Sequence, residues 1–124
     1  MRRRRLAILA TAMLLSPLAA GGAQAQSRLD FSLANSTGYE INEVYVSPTS
    51  ADAWGSDVLG QDTLPAGRAT GIRFNPAAST CRWDMKVVYA DGDTSEWRNL
   101  DLCRISRITL FWNRQAGTTR AVTE

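Results

Sequence analysis

Asp91-Gly92-Asp93-Thr94-Ser95-Glu96 presents several side-chain oxygens within six residues, and hard cations such as Ca²⁺ choose oxygen ligands. The run opens like an EF-hand loop, with oxygens at its first, third and fifth places. It then departs from that pattern, because Glu96 stands where the glycine is needed and Leu102 where the bidentate glutamate should be. A C2-like arrangement, in which loops at one end of a β-sandwich pool aspartates, would instead combine Asp91 and Asp93 with Asp52 or Asp57. The stronger competing reading is an ordinary Asp-Gly hairpin turn, which needs no ion.

Carboxylates also do general acid and base work in pairs, as in glycosidases, and Asp52, Asp57, Asp91, Asp93 and Glu96 are the candidates here. Acidic residues in loops are mostly just solvated, however. The chain has no histidine, which excludes Ser-His-Asp and Cys-His nucleophilic machinery and the usual histidine-bearing zinc sites. No glycine-rich phosphate loop is present either. Gly21-Gly22 falls in a leader segment, and the other glycines are isolated turn residues. The expectation is a protein that is not an enzyme, with calcium the one cofactor its residues suggest.

Trp54, Trp83, Trp97 and Trp112 are four tryptophans in a short chain, readable as core or as a recognition surface. Trp83 and Trp112 fall in phase with aliphatic neighbours and read as core. Trp54 and Trp97 are the candidate partner-binding residues, Trp54 because it sits in an irregular excursion, where binding residues collect.

These residues must be positioned by a small exported domain. Arg2 to Arg5, the apolar run Leu6 to Leu15, a Ser16-Pro17 break and Ala23-Gln24-Ala25 form a secretory signal peptide too short to span a bilayer. Cleavage is expected after Ala25, leaving residues 26–124 as one domain, periplasmic or secreted. Ala7 is weakly apolar where a twin-arginine signal wants a stronger residue, which favours general secretion. Of the 14 Lys and Arg, four belong to the leader, so ten face the 12 Asp and Glu and the exported part carries a net charge of −2. A basic patch for nucleic acid is therefore not expected, and no later apolar run is long enough for a membrane span. Cys81 and Cys103 are the only cysteines. An even count in an exported chain reads as one disulfide.

Apolar residues alternate with period two, the pattern of half-buried strands. Leu29, Phe31 and Leu33 mark a first strand, followed by turn chemistry at Asn35-Ser36-Thr37-Gly38. A second strand runs through Ile41, Val44 and Val46, with a phase change that predicts a bulge near Asn42-Glu43, and it ends at Ser47-Pro48. Ser50 to Leu59 predicts one short helix, with Ser50 as N-cap and Trp54, Val58 and Leu59 on one face. After the Pro65-Ala66-Gly67 turn, Thr70, Ile72 and Phe74 alternate on a third strand that ends at Asn75-Pro76.

Trp83, Met85, Val87 and Tyr89, then Asp91-Gly92-Asp93, then Trp97 and Leu100 predict a β-hairpin. A three-residue loop centred on Gly92 sets Cys81 opposite Cys103. A two-residue Asp91-Gly92 loop sets Cys81 opposite Leu102, Trp83 beside Leu100 and Arg82 opposite Asp101, and sequence leaves both registers open. Ile108, Leu110 and Trp112 share one face of a last strand, and Arg114 to Glu124 is expected to fray. Together these elements predict an all-β protein, a small antiparallel β-sandwich with one short helix and one disulfide.

The order Asn35-Ser36-Thr37-Gly38, Ser47-Pro48, Trp54-Gly55, Leu64-Pro65-Ala66-Gly67, Cys81, Asp91-Gly92, Trp97 and Leu102-Cys103 resembles a family of small exported alphaproteobacterial proteins of unknown function. Some of these carry labels of argininosuccinate lyase or of a Tat-signal domain protein. The resemblance implies an exported β domain without an established activity. The lyase label is incompatible with a small chain that lacks histidine. The expected function is a non-catalytic interaction module presenting the Ser47 to Leu64 excursion to a protein or an envelope glycan. The alternative is a calcium-binding or calcium-stabilised C2-like domain. Oligomeric state is open, since sheet edges leave unpaired backbone groups that another chain can use.

Overall fold

The computed structural model describes residues 26–124, and the expected leader, residues 1–25, lies outside them. Seven strands and no helix occur among the described residues: β1 (Phe31–Ser36), β2 (Ile41–Pro48), β3 (Ala69–Ile72), β4 (Arg82–Tyr89), β5 (Thr94–Asp101), β6 (Arg107–Asn113) and β7 (Thr118–Thr123). They form two sheets, ordered β3-β1-β6-β7 and β2-β4-β5. The predicted β-sandwich is the observed fold, with one refinement. Four of the strand pairings are antiparallel, but β1 and β6 run parallel, from Ser32 opposite Arg107 to Ser36 opposite Phe111.

Alternation explains why the sheets pack. Leu29, Phe31 and Leu33, Met85, Val87 and Tyr89, and Ile108 and Leu110 each repeat every second residue, so each set points to one face. All are buried, together with Ile41, Val44, Leu64, Ile72 and Leu102. The bulge predicted in β2 is present between Ile41 and Glu43, and it moves Val44 back onto the inner face. Trp83, Trp97 and Leu100 pack against this core from its margin, and Trp83 meets Phe74 edge-on at 4.8 Å between ring centroids.

A buried polar residue joins the sheets at one end. Asn35 is 1% exposed, and its amide donates to the carbonyls of Tyr39 (2.7 Å) and Leu64 (2.9 Å). Its oxygen accepts the N–H and hydroxyl of Thr37. Read from sequence as turn chemistry, Asn35 ties the β1–β2 turn to the segment that leads into β3. That segment turns at Pro65–Arg68, where Arg68 N–H reaches the Pro65 carbonyl (3.1 Å) and Gly67 adopts φ +81, as a type II turn requires. Gly67→Ala is expected to lower stability by about 1 kcal/mol, because a Cβ disfavours the left-handed conformation. Urea unfolding measures it, and an unchanged midpoint would contradict the turn assignment.

Two expectations are corrected. Ser50 to Leu59 is not a helix: its polar groups are taken by β2. Val58 N–H bonds the Val44 carbonyl (2.8 Å), Ser47 Oγ donates to the Ala53 carbonyl (2.8 Å), and one Asp57 oxygen accepts from Val44 N–H (2.9 Å) and Leu59 N–H (3.0 Å). Tertiary bonding to a strand edge thus overrides a weak helical pattern that Gly55 already interrupts. The segment also covers the edge of β2, helped by the Ile41–Leu64 bridge, which shields it from other strands.

Nor does the C-terminus fray. Thr118 to Thr123 pairs along β6 from Asn113 opposite Thr118 to Ile108 opposite Thr123. The turn is made by Asn113, whose side chain accepts the N–H groups of Gln115 and Ala116, and by Gly117 at φ +63. The β-branched residues Thr118, Thr119, Val122 and Thr123 suit a strand despite their low hydrophobicity. No helix among the described residues is long and apolar enough to cross a membrane.

Candidate functional site

The β4–β5 hairpin is closed by a three-residue loop, Ala90-Asp91-Gly92, rather than one centred on Gly92. Gly92 N–H bonds the Tyr89 carbonyl (2.9 Å), Tyr89 N–H bonds the Asp93 carbonyl (2.8 Å), and Gly92 takes φ +92. This is a type I turn followed by a left-handed residue. Near the loop Val88 opposes Thr94, yet beyond a shift between Trp83 and Met85 the pairs are Trp83 with Leu100 and Arg82 with Asp101. β5 therefore carries one extra residue opposite Asp84, and neither single predicted register describes the whole hairpin. The pairs at its far end are those of the second register. Cys81 and Cys103 are nonetheless bonded, with Cα atoms 5.1 Å apart, beside a hydrogen bond from Leu102 N–H to the Cys81 carbonyl (2.9 Å).

The bulge is built around Asp84. On the outward face of β4, yet 2% exposed, its carboxylate accepts the Thr49 hydroxyl (2.8 Å), the Asn99 N–H (2.8 Å) and Arg98 Nη1 (3.0 Å). Asn99 takes φ +60, a conformation asparagine tolerates. Burial pushes the Asp84 carboxyl up, and the bonds from Asn99, Thr49 and Arg98 outweigh that and hold it below its ordinary value.

Arg98 is fixed on its other side by Glu96 (2.9 Å), and its guanidinium lies 5.6 Å from the centroid of the Trp54 ring. Tyr45 approaches the same ring at 6.5 Å. Trp54, Asp52, Asp84, Arg98, Ser47 and Thr49 surround a cleft of about 210 Å³. Trp54 and Trp97 are both half-buried, but Trp97 packs against the core and does not line this cleft.

A second cleft, about 260 Å³, lies at the turn end of the sandwich between Tyr39, Glu40, Tyr89, Asp91, Asp93 and Trp112. Ala90 N–H bonds the Glu40 carbonyl (3.1 Å) and joins its two turns. The floor is Tyr89, whose hydroxyl shares a hydrogen bond with Thr119. Burial, with a smaller contribution from Asp91, raises this phenol above its ordinary value against the bonds from Thr119 and Thr37. Trp112 is in phase with Ile108 and Leu110 but is not part of the core. It stands half-buried at the cleft, edge-on to Tyr39 at 5.8 Å.

The four aspartates considered for calcium do not gather. Asp91 and Asp93 share the turn-end cleft, Asp52 belongs to the Trp54 cleft, and Asp57 is engaged by Val44 and Leu59. From Asp84 to Tyr89 the clefts are separated by roughly 16 Å of strand. Among the described residues, the one group of three ligating side chains that comes together is Cys81, Asp101 and Cys103, whose sulfurs are bonded to each other.

Asp84, Arg98 and Tyr45, and Tyr39, Glu40 and Trp112 as a group, were not marked by sequence spacing. The one available signal was an aspartate inside a strand pattern, where that residue is depleted.

The fold defines the protein as a small two-sheet β-sandwich closed by one disulfide. No family model matches the chain, and no curated protein matches it. Among solved structures it is similar to a protein from Eubacterium rectale determined by NMR, with a TM-score of 0.56 at 12% identity over 84% of this chain and 93% of that chain. At that identity the likeness concerns the fold alone.

Proposed function

We propose that the protein is an exported, non-catalytic interaction module that docks a protein of the periplasm or cell envelope through the Trp54 face. The observation that carries this reading is the gathering of Tyr45 and Arg98 about the Trp54 ring, with Trp54 and Arg98 both lining one cleft, since Trp, Tyr and Arg dominate binding hot spots. Arg98 is held by two carboxylates before any partner arrives, so little side-chain freedom is lost on binding. Ser47, Thr49 and Asp84 spend hydrogen bonds within the protein, which leaves the contact to Trp54, Tyr45 and Arg98, the residue types that favour a protein partner. The leader pattern of residues 1–25, the disulfide and the resemblance to small exported alphaproteobacterial proteins support the placement outside the cytoplasm.

A photo-crosslinker at exposed position 52 tests the reading in cells. The expected result is a discrete adduct with one envelope protein, lost in Trp54→Ala while the fold is retained. An adduct that survives Trp54→Ala, or retention by envelope glycan alone, would overturn it.

A further inference from the structure

We propose that the turn-end cleft binds a primary ammonium group carried on an alkyl chain, such as the end of a lysine side chain. Three exposed carboxylates, Glu40, Asp91 and Asp93, line it with no Lys or Arg among its lining residues. None of the three is in an ion pair among the described residues. One Asp91 oxygen accepts the Asp93 N–H (2.9 Å), and the charges of the lining are all negative, which favours a cation over an anion.

The kind of cation follows from what surrounds the charges. The carboxylates do not form a group with ligand oxygens within 4.8 Å of one another, so a small hard ion finds no converged shell. The walls are instead aromatic: Tyr39 is 54% exposed and stands edge-on to Trp112, and such rings attract organic cations through their faces. The Tyr89 hydroxyl is occupied by Thr119, which leaves an apolar ring as floor. An alkyl stem against the rings with its charged head among the carboxylates satisfies every wall of the cleft. At about 260 Å³ the space lies below the roughly 300–1,000 Å³ of drug-sized sites, as suits one side chain. The inference uses no residue of the Trp54 face and stands apart from that reading.

NMR titration of protein purified after expression of the full chain, with Nα-acetyl-L-lysine methylamide as probe, tests it. Saturable shifts are expected at Tyr39, at the amides of residues 90–93 and at the Trp112 indole, and the uncharged norleucine analogue should produce none. Tyr39→Ala is expected to weaken binding about fivefold. Glu40→Gln with Asp93→Asn, which keeps side-chain shape and leaves only Asp91 charged, should weaken it comparably and reduce its salt dependence. Trp54→Ala should leave it unchanged. Equal shifts with the norleucine analogue, no saturable shift in the folded parent, or shifts from Ca²⁺ with none from the lysine probe would each overturn the proposal.

Discussion

Asp84→Ala is expected to reduce the unfolding free energy by about 3 kcal/mol at neutral pH, since hydrogen bonds to charged groups contribute roughly 1.5–3 kcal/mol and orphaned donors add a penalty. The substitution removes one acceptor from Thr49, Arg98 and the Asn99 N–H together. Of these, the Asn99 N–H is fixed by the bulge and has nowhere else to turn. Urea unfolding measures the loss, and a decrease below about 1 kcal/mol would mean that the bulge holds without its carboxylate.

The same residue sets an acid dependence. Burial alone would raise the Asp84 carboxyl, but its three donors bring the folded value below the ordinary 3.8. A folded value below the unfolded one means that the contribution is fully present above the unfolded value and is lost as pH falls through the folded one. Stability attributable to Asp84 should therefore be constant from neutrality down to about pH 5 and decline below about pH 4. Asp84→Asn should flatten that acid limb, and an unchanged limb in the variant would assign the decline to other carboxylates.

Replacing both cysteines with alanine is expected to cost about 3 kcal/mol, because Cys81 and Cys103 are 22 residues apart and closing such a loop restricts the unfolded chain by that order. For a domain of this size the melting temperature should fall by roughly 15 °C. The whole β4–β5 hairpin lies inside the loop, so reduction releases its far end at Arg82–Asp101 and Trp83–Leu100 first. Calorimetry of the oxidised protein against the double variant measures the effect. A fall of less than about 5 °C would show that the bulge and the Leu102–Cys81 hydrogen bond alone hold that end.

Much of the sandwich was legible because period-two burial is a local property. The inward sets on β1, β4 and β6, the bulge in β2 and the disulfide all follow from residues read in order. The failures share one cause. Ser50 to Leu59 carries a weak helical pattern that is overridden by the open edge of a strand formed earlier in the chain. Thr118 to Thr123 lacks hydrophobic alternation and becomes a strand because β6 offers it a partner. The hairpin register could not be chosen because it changes midway, at an aspartate whose partners come from residues 49, 98 and 99. Both clefts depend on the meeting of segments distant in sequence: Tyr39 with Trp112, and Trp54 with Arg98. Spacing along one chain does not encode such meetings.

The parallel pairing of β1 with β6 sets a timetable for the chain. Ser32 and Arg107, partners in that ladder, are about 75 residues apart, which at a synthesis rate of roughly 5–20 residues per second separates them by about 4 to 15 s. For about the first half of that interval the first strand has no neighbour in its sheet, and thereafter it has β3 alone until β6 is made, so Leu33 cannot meet Ile108. The four-stranded sheet is thus closed by β6 and β7, which are made only after every strand of the three-stranded sheet, so one layer of the sandwich can form while the other still waits for its partners.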